Sequence, residues 1–236
     1  MKLRTSVVLQ LAALSLALGA SALAQNSAYL YIVHGIPGRD IAANLNPGLP
    51  IDISISGKCL THGLTFGSTT GPYTLAPGTY DVQISSANTF APCTNPALID
   101  SQITLTSGEN LSAVAAISTG QPTLLTFTNN FSPVAPGDAH FVFVQSADAP
   151  ALQATLTQLD VRSPKTFTVT ANPSTEQGIF IPAGTYLVQV VASGTTTVLT
   201  SQNISLPDQS ATFSYAAGEA TNNSVGLVNR TIRDVF

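Results

Sequence analysis

Short stretches of alternating apolar and polar residues recur along most of the chain. In residues 51–56, Ile51, Ile53 and Ile55 alternate with polar residues, so the three isoleucines are predicted to share one buried face of a strand. Similar segments separated by turn residues lie at 29–33, 79–85, 100–106, 110–117 and 122–128. Six or seven short strands at this spacing predict an Ig-like antiparallel β-sandwich.

The same succession begins again after residue 138. Predicted strands lie at 140–144, 152–159, 167–170, 185–191, 196–206, 209–215 and 224–229. Residues 149–159 could also be drawn as a short helix, but their match with the second strand of the first half favours a strand. No other segment has a helical period of useful length, and the expected fold class is therefore all-β.

A ten-residue phrase supports two tandem copies of one domain. Residues 75–84 and 181–190 carry nearly the same sequence, a Pro/Ala/Gly turn followed by Thr, Tyr and an alternating strand. Tyr80 and Tyr186 occupy the same place in the two phrases. We expect each ring to pack inward and each hydroxyl to bond a loop carbonyl, as in a tyrosine corner. The alternative is an exposed tyrosine that stacks on a sugar.

The N-terminus has the three parts of a secretory signal peptide. Lys2 and Arg4 precede an apolar run at 7–18, and small residues follow at 22–24. We predict that residues 1–24 are removed and that the mature chain begins at Gln25; the alternative is an uncleaved membrane anchor. No later stretch is long and apolar enough to span a membrane.

The predicted organisation is two tandem sandwiches behind the leader. The first occupies residues 25–128, the linker 129–138, and the second, more divergent sandwich 139–236. Two prolines in the linker suggest a stiff spacer. The secreted, periplasmic or cell-surface location expected from the leader also places Cys59 and Cys93 in an oxidising compartment. A disulfide between them would contribute about 3–4 kcal/mol.

Composition excludes some functions and permits others. Charged residues make up 8% of the chain, against about 25% in typical soluble domains. Without Lys2 and Arg4, the eight basic residues become six, against twelve acidic ones, so nucleic acid is not an expected partner. Such a weakly charged, strand-rich surface also permits self-association.

The two openings resemble a known family. Residues 31–37, 49–57 and 75–82 resemble the DUF4397 family of exported bacterial and archaeal proteins, with His34 and Asp52 at family positions. The resemblance implies a β-sandwich-like fold and a secreted or cell-surface setting, but no substrate or mechanism.

The second copy departs from the family pattern. Residues 145–150 are close to the family's Ser-Pro-Asp-Ala-Pro segment, but Gln145 and Gln153 stand where His and Asp are expected. These departures put in doubt any activity that would need the His and the Asp in both copies.

Few residues are candidates for chemistry. His34, Asp40 and Asp52 could form a polar cluster at the tip of the first sandwich that binds a metal. The alternative is a histidine that bonds loop backbone. Asp40 and Asp52 together with Asn44 and Asn46 also suggest calcium, although ordinary turn chemistry accounts for them.

No catalytic constellation, cofactor site or firm metal site is predicted, because the motifs of nucleophilic and metal-dependent enzymes are missing from the sequence. We therefore expect a non-enzymatic module for adhesion, envelope or matrix interaction, whose surface, glycan or protein partner is not specified. The alternatives are a carbohydrate-binding module, for which Tyr73 and Phe90 are the rings to test, and a metal-dependent site at the tip.

Overall fold

The structure is a computed structural model, and it describes residues 27–233. The predicted signal peptide at 1–24 and the predicted first mature residue, Gln25, lie outside the described residues. The described chain is almost entirely β-structure, with one four-residue helix, α1 (Gly38–Ile41). Within 27–233 no helix combines the length and the hydropathy of a membrane span.

Eight strands build the first sandwich. They are β1 (Ala28–His34), β2 (Ile51–Ile55), β3 (Lys58–Leu64), β4 (Thr69–Leu75), β5 (Gly78–Ser86), β6 (Ala97–Leu105), β7 (Asn110–Ser118) and β8 (Gln121–Thr128). One sheet has the order β4-β1-β7-β8 and the other the order β3-β2-β5-β6. Neighbouring strands are antiparallel except β1 and β7, which pair in parallel.

Eight further strands build the second sandwich. They are β9 (Asp138–Gln145), β10 (Leu152–Gln158), β11 (Thr166–Ala171), β12 (Glu176–Pro182), β13 (Gly184–Ala192), β14 (Val198–Leu206), β15 (Ser210–Ala217) and β16 (Gly226–Ile232). Their sheets, β12-β9-β15-β16 and β11-β10-β13-β14, have the strand order of the first sandwich with each number raised by eight. The two predicted β-sandwiches are confirmed, with the difference that each contains one parallel pair.

Three of the strands, β3, β4 and β12, were not predicted from the sequence. Each lies at the edge of its sheet, and each contains glycine, with Pro72 also inside β4. An edge strand has one free side and tolerates Gly and Pro, so its alternation is weak. Residues 152–158 form β10, as the comparison of the two halves predicted, and not a helix.

Both tyrosines make the predicted corner. The Tyr80 hydroxyl donates to the carbonyl of Ala76 at 2.7 Å, and the Tyr186 hydroxyl donates to the carbonyl of Pro182 at 2.7 Å. In both cases the acceptor lies four residues earlier: Ala76 lies in the turn before β5, and Pro182 is the last residue of β12. Tyr186 is fully buried in the second core, whereas Tyr80 packs at the margin of the first.

A third apolar core lies between the two sandwiches. Each sandwich has its own interior, and a separate buried cluster joins sheet β4-β1-β7-β8 to sheet β12-β9-β15-β16. Val33 and Val114 contribute from the first sandwich, and Val144 and Phe213 from the second. Val134 of the predicted linker is buried in the same cluster. The linker is therefore part of the interface, and the protein is a stack of four sheets.

Candidate functional site

His34, the predicted tip histidine, is the fully buried last residue of β1. The N–H of Ile36 donates to its Nδ1 at 3.3 Å, which leaves Nε2–H to donate to the carbonyl of Leu49 at 2.7 Å. Burial lowers the pKa of His34 to about 4, although the bond to Leu49 opposes this change. The neutral ring thus holds the loop between β1 and β2, as in the alternative interpretation of the sequence.

Gln145 makes the same contacts at the end of β9. Its Oε1 accepts the N–H of Ala147 at 2.9 Å, and its Nε2 donates to the carbonyl of Pro150 at 3.0 Å. Like His34, it binds the backbone N–H two residues ahead and a carbonyl farther along the loop. A neutral imidazole and a primary amide therefore serve the same structural purpose in the two sandwiches.

Asp52 connects β3 to the loop between β5 and β6. Its carboxylate accepts backbone N–H groups from Gly63 at 3.0 Å, Asn88 at 3.0 Å and Cys93 at 2.9 Å. Burial alone would raise the pKa of Asp52, but the three N–H donors outweigh it and hold the pKa below its usual value. This almost fully buried carboxylate is a structural anchor for the loop between β5 and β6.

The loop between β5 and β6 is braced and carries an exposed ring. The predicted disulfide is formed between Cys59 of β3 and Cys93 of the loop, with their Cα atoms 5.7 Å apart. The Asn88 side chain accepts the N–H groups of Phe90 and Ala91, both at 3.1 Å. Phe90 itself is 98% exposed. A covalent bond and several hydrogen bonds therefore hold an apolar ring out in solvent.

Asp40, the third predicted tip residue, faces the second sandwich. Its carboxylate accepts hydrogen bonds from Ser224 Oγ and from Asn222 Nδ2, the latter at 3.3 Å. His34, Asp40 and Asp52 thus each have their own partners. In the part of the chain that the structure describes, no three His, Cys, Asp or Glu side chains form a group suited to a metal ion.

The other candidates of the sequence have local partners. Asn46 Oδ1 accepts the N–H of Gly48 at 2.9 Å, which is ordinary turn chemistry, and Asn44 is exposed. Tyr73 packs against the first core and shares a 2.7 Å hydrogen bond with Thr70 Oγ1. Of the two rings suggested for sugar stacking, only Phe90 is fully presented to solvent.

A buried arginine lies between the sandwiches. The Arg230 guanidinium carbon is 3.6 Å from the ring centroid of Tyr31 and 4.9 Å from that of Phe213. Its Nη2 lies 3.4 Å from Ser112 Oγ and 3.5 Å from the Tyr215 hydroxyl. Sequence reasoning missed this cluster because Ser112 and Tyr215, 103 positions apart, meet only when the sandwiches pack.

Solved structures similar to this chain are distant ones. The Bacillus anthracis TIE protein is 11% identical with a TM-score of 0.24; the match covers 78% of this chain and 32% of that one, so this chain spans about a third of its length. A "putative cell adhesion protein" from Bacteroides ovatus is 10% identical with a TM-score of 0.31, and the match covers 88% of this chain and 98% of that one. No curated protein sequence matches.

A family model matches one continuous part of the chain. It covers residues 28–155, which include the whole first sandwich and the first strand of the second, and it ends inside β10. The match includes the strand ending in His34, the strand with Asp52 and the Tyr80 corner. Since it spans more than half of the sequence, the chain belongs to the DUF4397 family, a domain of unknown function.

Proposed function

We propose that this protein is exported and acts as a non-enzymatic secreted or cell-surface module in adhesion, envelope or matrix interaction, with the Phe90 loop as its contact. The observation that carries this proposal is a ring that is 98% exposed on a loop fixed by a disulfide and by Asp52. The disulfide also supports an oxidising compartment, in agreement with the predicted leader.

A braced loop is suited to binding because little freedom is lost when a partner closes over it. Binding usually costs free energy to order side chains and loops, and preorganisation reduces that cost. Burying a phenylalanine contributes about 1.5–3 kcal/mol. Loss of the Phe90 ring should therefore weaken binding about 10- to 100-fold, since each 1.4 kcal/mol is a factor of ten.

The test compares the full-length secreted protein with its Phe90→Ala variant on immobilised envelope preparations and matrix polymers from the source organism. The matched control is Leu159→Ala, which removes a 46% exposed apolar side chain from the second sandwich. We expect saturable binding by the wild type and by the control, and the stated loss for Phe90→Ala. Equal binding by all three proteins, or none by the wild type, would refute the proposed contact.

A further inference from the structure

A polar cleft lies along the seam between the two sandwiches. A first cavity of about 210 Å³ is lined by Asn130 and Ser132 of the linker and by His140, Glu176 and Phe213 of the second sandwich. It lies at the rim of the third apolar core, where the linker passes over β9 and β12. The linker and the second sandwich together form this cavity.

A second cavity continues the cleft toward the turn between β6 and β7. Its volume is about 660 Å³, and its lining includes Glu109, Asn129 and Phe131. Asn130 and Glu176 line both cavities, so the two spaces meet at these side chains. The Phe90 loop and this turn lie at opposite ends of β6, so the cleft is separate from the proposed contact.

Three buried polar atoms of the cleft have no hydrogen-bond partner within residues 27–233. They are Asn129 Nδ2, His140 Nδ1 and Glu176 Oε2. Asn129 is 5% exposed and His140 is 8% exposed, so bulk water does not readily satisfy them. A buried polar group without a hydrogen-bond partner is destabilising, because it has given up its bonds to water. Three such atoms in one cleft are three positions at which a bound group or an ordered water molecule can supply a hydrogen-bond partner.

The hydrogen-bonding character of these atoms is mixed. Asn129 Nδ2 is a donor, an ionised Glu176 is an acceptor, and the imidazole nitrogen of His140 can act in either way. A hydroxyl group donates and accepts at once, so a ligand with several hydroxyls can satisfy all three atoms. Asn130 and Ser132 provide further polar groups along the same path.

Charge favours a neutral ligand. The carboxylates of Glu109 and Glu176 would repel an anion. A cation would be attracted by Glu176 but opposed by the Arg230 guanidinium, whose carbon is 4.9 Å from the centroid of the Phe213 ring that lines the first cavity. A molecule without net charge avoids both costs. Phe131 adds an apolar surface for the C–H face of a sugar ring.

From these observations we propose that the seam between the sandwiches is a binding site for a neutral saccharide. Glu176 and Asn129 would bond adjacent hydroxyls, and His140 would complete the site from β9. A saccharide site would identify the class of ligand that the proposed surface module binds. The biological meaning of the site therefore rests on the proposed function. The binding itself does not depend on Phe90.

His140 is held in place for such a contact. Its ring stacks on Phe180 with centroids 4.4 Å apart and planes 12° apart. It also lies over Gly178, where an added Cβ would come within 2.3 Å of Nε2. Burial lowers the pKa of His140, so the ring is neutral at physiological pH, and burial raises the pKa of Glu176. Gly178 is therefore the residue whose size keeps the ring over the cleft.

The experiment titrates the full secreted chain with methyl β-D-glucoside, methyl β-D-galactoside, methyl α-D-mannoside and N-acetylglucosamine, each separately. Two-dimensional NMR follows the side-chain amide signals of Asn129 and Asn130. We expect at least one sugar to shift these signals saturably. Glu176→Gln should weaken that binding about 10- to 100-fold, because it replaces a bond to a charged acceptor. Gly178→Ala should weaken it by displacing His140.

The matched control is Asp81→Asn, an exposed carboxylate on the outer sheet of the first sandwich. It should bind sugar like the wild type. No saturable shift with any sugar, or binding unaffected by both Glu176→Gln and Gly178→Ala, would overturn the site and leave ordered water as the partner of the three atoms. Saturation by ethylammonium or Zn²⁺ but by no sugar would overturn the ligand class. Neither result would affect the Phe90 test.

Discussion

Replacement of His34 by Gln should remove much of the acid sensitivity of the fold. The second sandwich already has Gln145 at the corresponding position, with the same pair of backbone contacts. In the His34→Gln variant the amide should therefore hold the loop at neutral pH, as the neutral imidazole does in the wild type. In acid, protonation of Nδ1 would set an N–H against the N–H of Ile36, whereas an amide does not titrate.

The magnitude follows from the pKa of His34, which is lowered from 6.5 to about 4 in the folded protein. Between these values the unfolded chain binds a proton that the folded protein does not, so the free energy of unfolding falls as the pH decreases. The full difference is worth about 3 kcal/mol, at roughly 1.4 kcal/mol per pH unit. Above pH 6.5 this contribution is fully present, and below about pH 4 it is lost.

Urea unfolding between neutral pH and about pH 4 measures this difference. His140 and Glu176 also titrate away from their usual values, but they are present in both proteins, so the comparison isolates His34. We expect the wild type to lose about 3 kcal/mol more than His34→Gln over this interval. Parallel pH profiles for the two proteins, or a large loss of stability in the variant at neutral pH, would show that the reasoning is wrong.

Three further changes test the fold and the interface. Replacing Cys59 and Cys93 with serine removes the disulfide and should lower the free energy of unfolding by about 3–4 kcal/mol, because the bond closes a long loop. An unchanged free energy of unfolding, measured with denaturant under oxidising conditions, would contradict this. Tyr186→Phe removes the hydroxyl that donates to the carbonyl of Pro182, and it should lower the free energy of unfolding, measured with denaturant, by about 1–2 kcal/mol. An unchanged free energy of unfolding would mean that the ring stabilises the corner by packing alone. Arg230→Met keeps most of the buried side-chain volume but removes a charge that contacts aromatic rings and hydroxyl groups. The thermal midpoint of unfolding should stay unchanged or rise. A fall as large as that caused by a cavity mutation would mean that the charge itself stabilises the interface.

Local features of the chain were predictable from sequence. Ile51, Ile53 and Ile55 alternate because only one face of β2 meets the first core, and the corners at Tyr80 and Tyr186 follow from a turn that enters a strand. The disulfide followed from compartment and cysteine count. In all these cases the cause lies within one element or a short loop, where sequence spacing and spatial distance agree.

The arrangement of the two halves was not predicted, although one sign of it was present. Residues 111–117 are apolar or small at nearly every position, which is typical of a strand covered on both faces. β7 is indeed buried throughout its middle, with one face in the first core and the other in the third. The cleft at Asn129, His140 and Glu176 could not be found in the same way, because its residues come from the linker, β9 and β12 and meet only in the folded chain.

The shared apolar layer also makes the two halves depend on each other. Sheet β4-β1-β7-β8 and sheet β12-β9-β15-β16 bury the third core between them. Either half expressed alone would expose this apolar face to solvent, and large exposed apolar patches promote aggregation. Dividing the chain within residues 129–138 is therefore expected to lower the solubility of both halves.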